Sequence, residues 1–451
     1  MSALTAEYKA LWRLGLPVLV TQAGIIIVSF ADTIMVGAYG TAELAAAAFV
    51  NSIFMIAVVC QIGFAAGMTP LIGSLYGQGD KAEAGATLRA GLVVNSCTSL
   101  AFTAIMGVMY FFLDYFGQPA ELMPLIKSYY LIILCTLLPM AVFNCCQQTA
   151  NGTTDTATPM WMILMSNVIN IVGNYMLIYG KWGAPELGLV GAGIATAVAR
   201  LAAAVGILAV FFSTRRYRDY VANLGYRREL AGRRRWRVWV TSYPIMIQSG
   251  IECSMWAFGA IVCGWFGKIQ LAAYQVVNTI GQLGFMIYMS FGVALSVRVA
   301  NFSGQGNMDR ARLCTRAALH MILALATVAS AVFIIGGANL IHIFTPDGTV
   351  IASALTLVLP LVLYQYCDAA QLTYANALRG ISVVKPLAWA SIISYIVIGT
   401  PCLLLLARTL GLGNVGVYYS FCIALAAAAL FLFLAYRRAM RERVGWGKIS
   451  V

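Results

Sequence analysis

Glu252 stands in the middle of QSGIECSMW (248–256), with the previous charge at Arg237 and the next at Lys268. On a helix those two would lie roughly 22 to 24 Å away along the axis. A carboxylate held so far from any charged partner on its own helix must find one elsewhere. Asp368 is a second acid within an apolar span, in LVLYQYCDAAQL, where Tyr364 comes four residues before it, so hydroxyl and carboxylate lie on one helical face. Asp32 is the third such acid, in FADTIMVGAYG (30–40); the other thirteen acidic residues fall in loops or tails. On insertion scales a charged Asp at the centre of a span costs about 2.5–3.5 kcal/mol. A working role is the reading that cost invites. The competing reading, for each acid, is a hydrogen bond between helices.

The neighbours suit an ion. SNVINIVGNYMLIYG places Asn170 and Asn174 one helical turn apart, and Thr196 follows in GAGIATAVAR with Arg200 four residues later. Oxygen donors on facing helices replace the water of a hard cation, and a carboxylate can instead accept a proton. If Glu252 and Asp368 approach each other, they titrate as a pair and share one cation or proton. Arg200 either pairs with an inner carboxylate or packs and snorkels. Trp256 and Phe285 could offer ring faces to a cation, although most aromatics in membrane helices only pack. PMWMILM (159–165) divides in the same way between adaptable binding and packing.

These residues require helices that cross a bilayer. The chain has 451 residues, 61% hydrophobic and 10% charged, with mean hydropathy +0.83; a water-soluble chain carries about a quarter charged residues. The composition is that of an integral membrane protein. No cleavable signal is expected, because the apolar run after MSALTAEYKALWRLGLPVLV simply continues. Eleven cysteines, mostly in apolar spans and without a C-x-x-C pair, indicate neither a disulfide framework nor a metal site. His320 and His342 stand singly and read as structural. Nothing alternates as barrel strands do.

Charge-poor windows predict twelve helices, near 14–36, 45–75, 90–113, 127–148, 158–180, 188–212, 239–263, 270–297, 317–341, 350–376, 386–407 and 414–435. The net charge of +13 reads as topology rather than nucleic-acid binding, because cytoplasmic loops collect Lys and Arg. With both termini cytoplasmic, 24 of the 29 basic residues fall inside, nine of them arginines between Arg215 and Arg237. Lys127, Lys181, Lys268 and Arg408 fall outside, and Arg200 lies within a span. The long polar loop at 214–237 reads mainly as a topology anchor and linker, with attraction to anionic lipid as the other reading. It separates a six-helix lobe at 1–213 from a second at 238–436, and a basic tail follows at 437–451.

The halves repeat each other at a constant offset of 227 residues. Pro17 falls on Pro244, Gly37 and Gly40 on Gly264 and Gly267, and Val50-Asn51 on Val277-Asn278. Gly77-Gln78-Gly79 falls on Gly304-Gln305-Gly306, and Arg89-Ala90 on Arg316-Ala317. Six spans is an even number, so the repeats enter the membrane the same way, as parallel repeats about an axis along its normal. Pro17 and Pro244 mark bending points. The acids are not duplicated: Asp32 meets Gly259, and Glu252 meets Ile25. Each lobe therefore has its own polar interior.

With those residues in place, the chain resembles the MATE (multidrug and toxic compound extrusion) transporters over essentially all twelve spans. FADTIMVGAYG, with Pro17 fifteen residues before Asp32, resembles the first-helix signature, and PLIGSLYGQG the end of the second helix. Glu252 matches the seventh-helix glutamate of the NorM-like branch, Tyr364 and Asp368 its tenth-helix cation ligands, and Asn170 the fifth-helix asparagine. Asn174 replaces the aspartate of the DinF-type branch, leaving Asp32 the one acid of that lobe. The resemblance implies an all-α two-lobe antiporter of the bacterial cytoplasmic membrane. It would export organic cationic or amphipathic drugs for inward Na⁺ or H⁺, as a monomer among membrane lipids with no cofactor. Coupling would rest on Glu252, Tyr364 and Asp368, together with Asp32 and Asn170. The alternative is a flippase for lipid-linked oligosaccharides on a related fold, but its basic cavity lining is here represented by Arg200 alone. A channel would not need unduplicated acids inside two repeats. No nucleophile beside a base, phosphate loop or metal cluster suggests an enzyme.

Overall fold

The computed structural model describes residues 3–447, and for 443–447 the backbone alone. Every described element is a helix. Among the described residues eleven helices are long and apolar enough to span a membrane, and a bent pair makes twelve when it counts as one span. In chain order they are α1 (Ala3–Tyr39), α2 (Thr41–Gln78), α3 (Lys81–Tyr110), α4 (Met123–Gly152), α5 (Ala157–Tyr179) and α6 (Gly188–Ser213). The second six are α7 (Ala231–Trp265), α8 (Lys268–Gly304), α9 (Met308–His342), α10 (Gly348–Leu355 with Val358–Gly380), α11 (Lys385–Thr409) and α12 (Gly413–Glu442). The expected number of spans is found, with one of them broken.

The break in α10 is a 48° bend between Leu355 and Val358. Pro360 explains it, because its ring lacks an N–H and crowds the carbonyl four residues back, at Thr356. In α11 the residues Ile392–Gly399 and Leu405–Thr409 relax into π-helix. Pro401 removes a donor there, and the Thr400 hydroxyl bonds the Tyr395 carbonyl at 3.1 Å. Wide turns of this kind cluster at functional sites.

The repeated G-Q-G has a local cause. Gly79 and Gly306 take φ +77° and +73°, a left-handed conformation that ends α2 and α8 and that a side chain would strain. The next residues cap the following helices: Asp80 Oδ1 accepts the Glu83 N–H at 2.9 Å, and Asn307 Oδ1 accepts the Arg310 N–H at 3.1 Å. One repeat apart, the two turns use the same chemistry.

Contacts divide the chain into two compact units, Val20–Met246 and Met1–Leu19 with Ile247–Val451. The crossings fall within α1 and α7, just after Pro17 and Pro244, and are themselves one 227-residue repeat apart. The first unit packs around Phe54, Tyr130 and Leu137 and around Phe64, Ile72 and Phe211. Its linker is docked: Tyr217 stacks on Phe211 at 4.1 Å, and its hydroxyl donates to Asp155 at 2.7 Å. The second unit packs around Tyr274, Tyr418, Phe421 and Tyr364.

Candidate functional site

In the unit containing residues 247–451, α7 and α10 bring Glu252 and Asp368 into each other's electrostatic field. Glu252 is partly buried, and its Oε1 accepts two amides: Gln248 Nε2 at 3.0 Å and Gln371 Nε2 at 2.9 Å. Gln248 lies one turn before Glu252 on α7, and Gln371 one turn after Asp368 on α10, so helical spacing alone aims both. Gln248 turns its own oxygen to Arg379, whose Nη2 donates at 2.8 Å. Asp368 is 3% exposed, Tyr364 stands one turn before it on α10 and is buried as well, and among the described residues the Asp368 Oδ2 has no hydrogen-bond partner. Trp256 stands edge-on to the Tyr364 ring at 5.2 Å and also meets Phe421 at 4.4 Å. Phe285, on α8, is partly buried outside these contacts.

The unit Val20–Met246 holds a separate chain of polar groups. Asn174 donates from Nδ2 both to Asp32 Oδ1 and, at 3.3 Å, to Asn170 Oδ1. Asn170 Nδ2 donates to Thr196 Oγ1 at 3.1 Å. The run Asp32–Asn174–Asn170–Thr196 thus ties α1 to α5 and α6. One turn further along α6, Arg200 feels the charge of Asp32 but donates to Thr136 Oγ1 at 2.6 Å. Among the described residues no salt bridge includes Arg200.

Both groups can hold a cation or a proton. Each bonds a carboxylate to neutral amide groups, while an arginine, Arg379 or Arg200, acts on it from a distance and donates to a neutral side chain instead. The first group has two acids, so uptake of one positive charge relieves repulsion within it.

A family model described as MatE matches residues 17–176 and 244–405, two stretches that begin one repeat apart. The chain belongs to the MatE family. The chain is 27% identical to the multidrug resistance protein NorM of Vibrio parahaemolyticus over 440 residues, 97% of this chain and 96% of that one. It is 28% identical to a probable multidrug resistance protein NorM of Pasteurella multocida over 446 residues, covering 97% and 95%. In fold it matches the eukaryotic MATE transporter AtDTX14 with a TM-score of 0.87, at 18% identity over 98% of this chain and 99% of that one.

Besides the amides Gln248 and Gln371, two further groups in this MatE chain escaped the sequence reading. Arg379 counts there as a loop cation, yet it ends α10 only 8% exposed and reaches Glu252 through Gln248. The available signal was its spacing, eight residues after Gln371 and so on one side of the helix. Tyr395 lies in the π-helical part of α11, buried and within the field of both Glu252 and Asp368. Nothing in IISYIVIGTP announces that direction, because a π turn shifts the faces that regular spacing predicts.

Proposed function

We propose that the chain is a secondary active multidrug efflux antiporter that exports organic cations and amphipathic drugs in exchange for inward Na⁺ or H⁺. It works by alternating access as a monomer in the bacterial cytoplasmic membrane, with both termini cytoplasmic. The observation that carries the proposal is the Glu252–Asp368 pair on α7 and α10, bracketed by Tyr364, Gln248 and Gln371. An ion or proton entering between the two acids satisfies both, and its departure restores their repulsion. Two helices of one unit thereby gain two states of different energy, and a substrate that favours one state drives the ion from the other. Trp256 and Tyr364 present ring edges and faces at the same place. Asp32 with Asn170, Asn174 and Thr196 forms a second polar station for substrate or proton in the other unit.

The NorM relatives carry the names of multidrug resistance proteins along nearly their whole length, in keeping with moving drugs rather than converting them. The flippase reading is not favoured. Its basic cavity would draw on Arg200 and Arg379, which stand in different units and donate to neutral side chains.

Efflux from proteoliposomes, with Na⁺ and pH gradients imposed separately, tests the proposal. Export of a cationic dye driven by one of the two gradients is expected. Absence of export under both, with protein correctly inserted, would refute it.

A further inference from the structure

In the unit Val20–Met246, a cavity of about 120 Å³ opens where α3 and α7 begin. Arg89, Arg228, Arg234 and Arg235 line it, together with Tyr226. Arg234 is committed to building the wall. It forks onto Glu83 at 2.8 and 2.7 Å, and its Nη1 donates to the carbonyls of Tyr226 and Arg227. Arg89, Arg228 and Arg235 are exposed, and among the described residues no salt bridge uses them. Arg235 makes one long bond, Nε to the Ala231 carbonyl at 3.3 Å. The nearby carboxylates are Glu83, already paired, and Glu229 in the short turn Arg228–Leu230. Positive charge is in excess.

Part of the lining is apolar, from Ala86, Ala90 and Val93 of α3. Val93 lies one turn beyond Arg89, where α3 enters its apolar stretch, and is 41% exposed. Trp236 and Trp239, next along α7, are also exposed, and tryptophans settle at the boundary between headgroups and hydrocarbon. Guanidinium groups thus stand beside apolar residues next to exposed tryptophans, the setting of headgroup depth.

We propose that this cavity holds the phosphate of an anionic phospholipid, with an acyl chain lying along Val93. Arginine forks match phosphate oxygens two at a time, and unpaired basic groups at an interface draw anionic lipid. The internal repeat supplies a comparison. Shifted by 227 residues, Arg89 becomes Arg316, but Val93 becomes His320, Arg235 becomes Tyr8 and Arg234 becomes Glu7. There the Tyr8 hydroxyl meets His320 Nδ1 at 3.2 Å, and Glu7 takes Arg298 at 2.6 Å. One scaffold carries an arginine cavity in one unit and a Tyr–His contact beside an ion pair in the other.

The test is native mass spectrometry of the full chain, delipidated in detergent and titrated with phosphatidylglycerol, phosphatidylcholine or inorganic phosphate. Wild type and R316Q should retain one phosphatidylglycerol where phosphatidylcholine is lost. R89Q/R235Q should weaken that binding roughly thirtyfold, the scale of two basic residues near an anionic surface. Both arginines are exposed, so thermal unfolding should not change; R228Q gives a second, independent reading if it does. Equal retention of phosphatidylcholine, or undiminished binding in both R89Q/R235Q and R228Q, overturns the proposal. So does full displacement by inorganic phosphate at the lipid's concentration, which would mark a site for the free anion. None of these readings depends on transport, so the proposed efflux activity stands or falls separately.

Discussion

Both amide bonds to Glu252 fall on a single oxygen, Oε1. Glu252→Gln can keep that oxygen, its two donors and its shape, and loses only the capacity for net negative charge. Ion-driven efflux should therefore fall by at least tenfold while the amount of inserted protein stays near wild type. Asp368→Asn should act alike, and the double variant should be little worse than either single one, because both act on one step. Dye efflux at the normal rate from Glu252→Gln, under both Na⁺ and H⁺ gradients, would place coupling elsewhere. Asp32→Asn keeps an oxygen for Asn174 in the same way, and impaired efflux with unchanged insertion is expected. Normal efflux there would reduce Asp32 to a helix-packing partner. All three acids were legible in the sequence, because a charge in an apolar run has no bland surface explanation. The amides around them were not. Gln248 and Gln371 look unremarkable until two helices face each other, and Arg379 hid among the loop cations.

At the scale of elements, the repeat showed that two G-Q-G stretches correspond, but neither their capping role nor the close approaches of helices were read from it. G-Q-G followed by Asp or Asn ends one helix and starts another in both copies, a signal that left-handed glycines and short polar caps could have given. The docking of the linker is different, since a run of nine arginines gives no hint that Tyr217 and Tyr220 are buried. Gly85 on α3 makes that docking possible: a Cβ there would stand 2.2 Å from the Tyr220 carbonyl oxygen, a backbone atom that cannot swing away. Gly85→Ala should cost about 1–3 kcal/mol, the usual range for overpacking. It should show as a lower melting temperature and as faster proteolysis between residues 214 and 230. Unchanged proteolysis would mean that the linker is not held there. The anchor should not depend on pH near neutrality. Burial pushes the Asp155 carboxyl up, but hydrogen bonds from Tyr217 and Thr158 and the Arg216 charge outweigh it and hold the group below its ordinary range. A depressed carboxylate stabilises the fold at every pH above its unfolded value of about 3.9, and that contribution is lost only as pH falls further through the folded value. Protection of the linker should stay level from pH 5 to 8, and a decline within that window would remove Asp155 as its anchor.

For the whole molecule, hydropathy and the repeat were enough to predict twelve helices in two sets, because lipid leaves few alternatives to helices. The charge census also predicts that residues 214–237 face the cytoplasm. A cysteine at Ala231 should resist an impermeant thiol reagent applied outside intact cells, and labelling from outside would reverse the topology. Only folding shows where the chain changes units. The first nineteen residues belong with residues 247–451, while α7 up to Met246 belongs with the first half. Each exchanged segment is tied by ionic and aromatic contacts. Glu7, 2% exposed, pairs with Arg298 at 2.6 Å, and Trp12 stacks edge-on to Phe291 at 4.8 Å. Arg234 pairs with Glu83 at 2.7 Å, and Trp239 meets Phe64 at 5.5 Å. A buried ion pair that loses one partner leaves an uncompensated charge, at about 3–5 kcal/mol. Neither half can therefore complete its own unit. Expressed as two polypeptides divided at Gly225, the halves should copurify in detergent, and each alone should be degraded or aggregate. Charge reversal at one contact, Glu83→Arg, should weaken the copurification, and adding Arg234→Glu should restore it. Isolation of residues 1–225 as a stable, monodisperse protein without its partner would show that the exchanged segments contribute little to either unit.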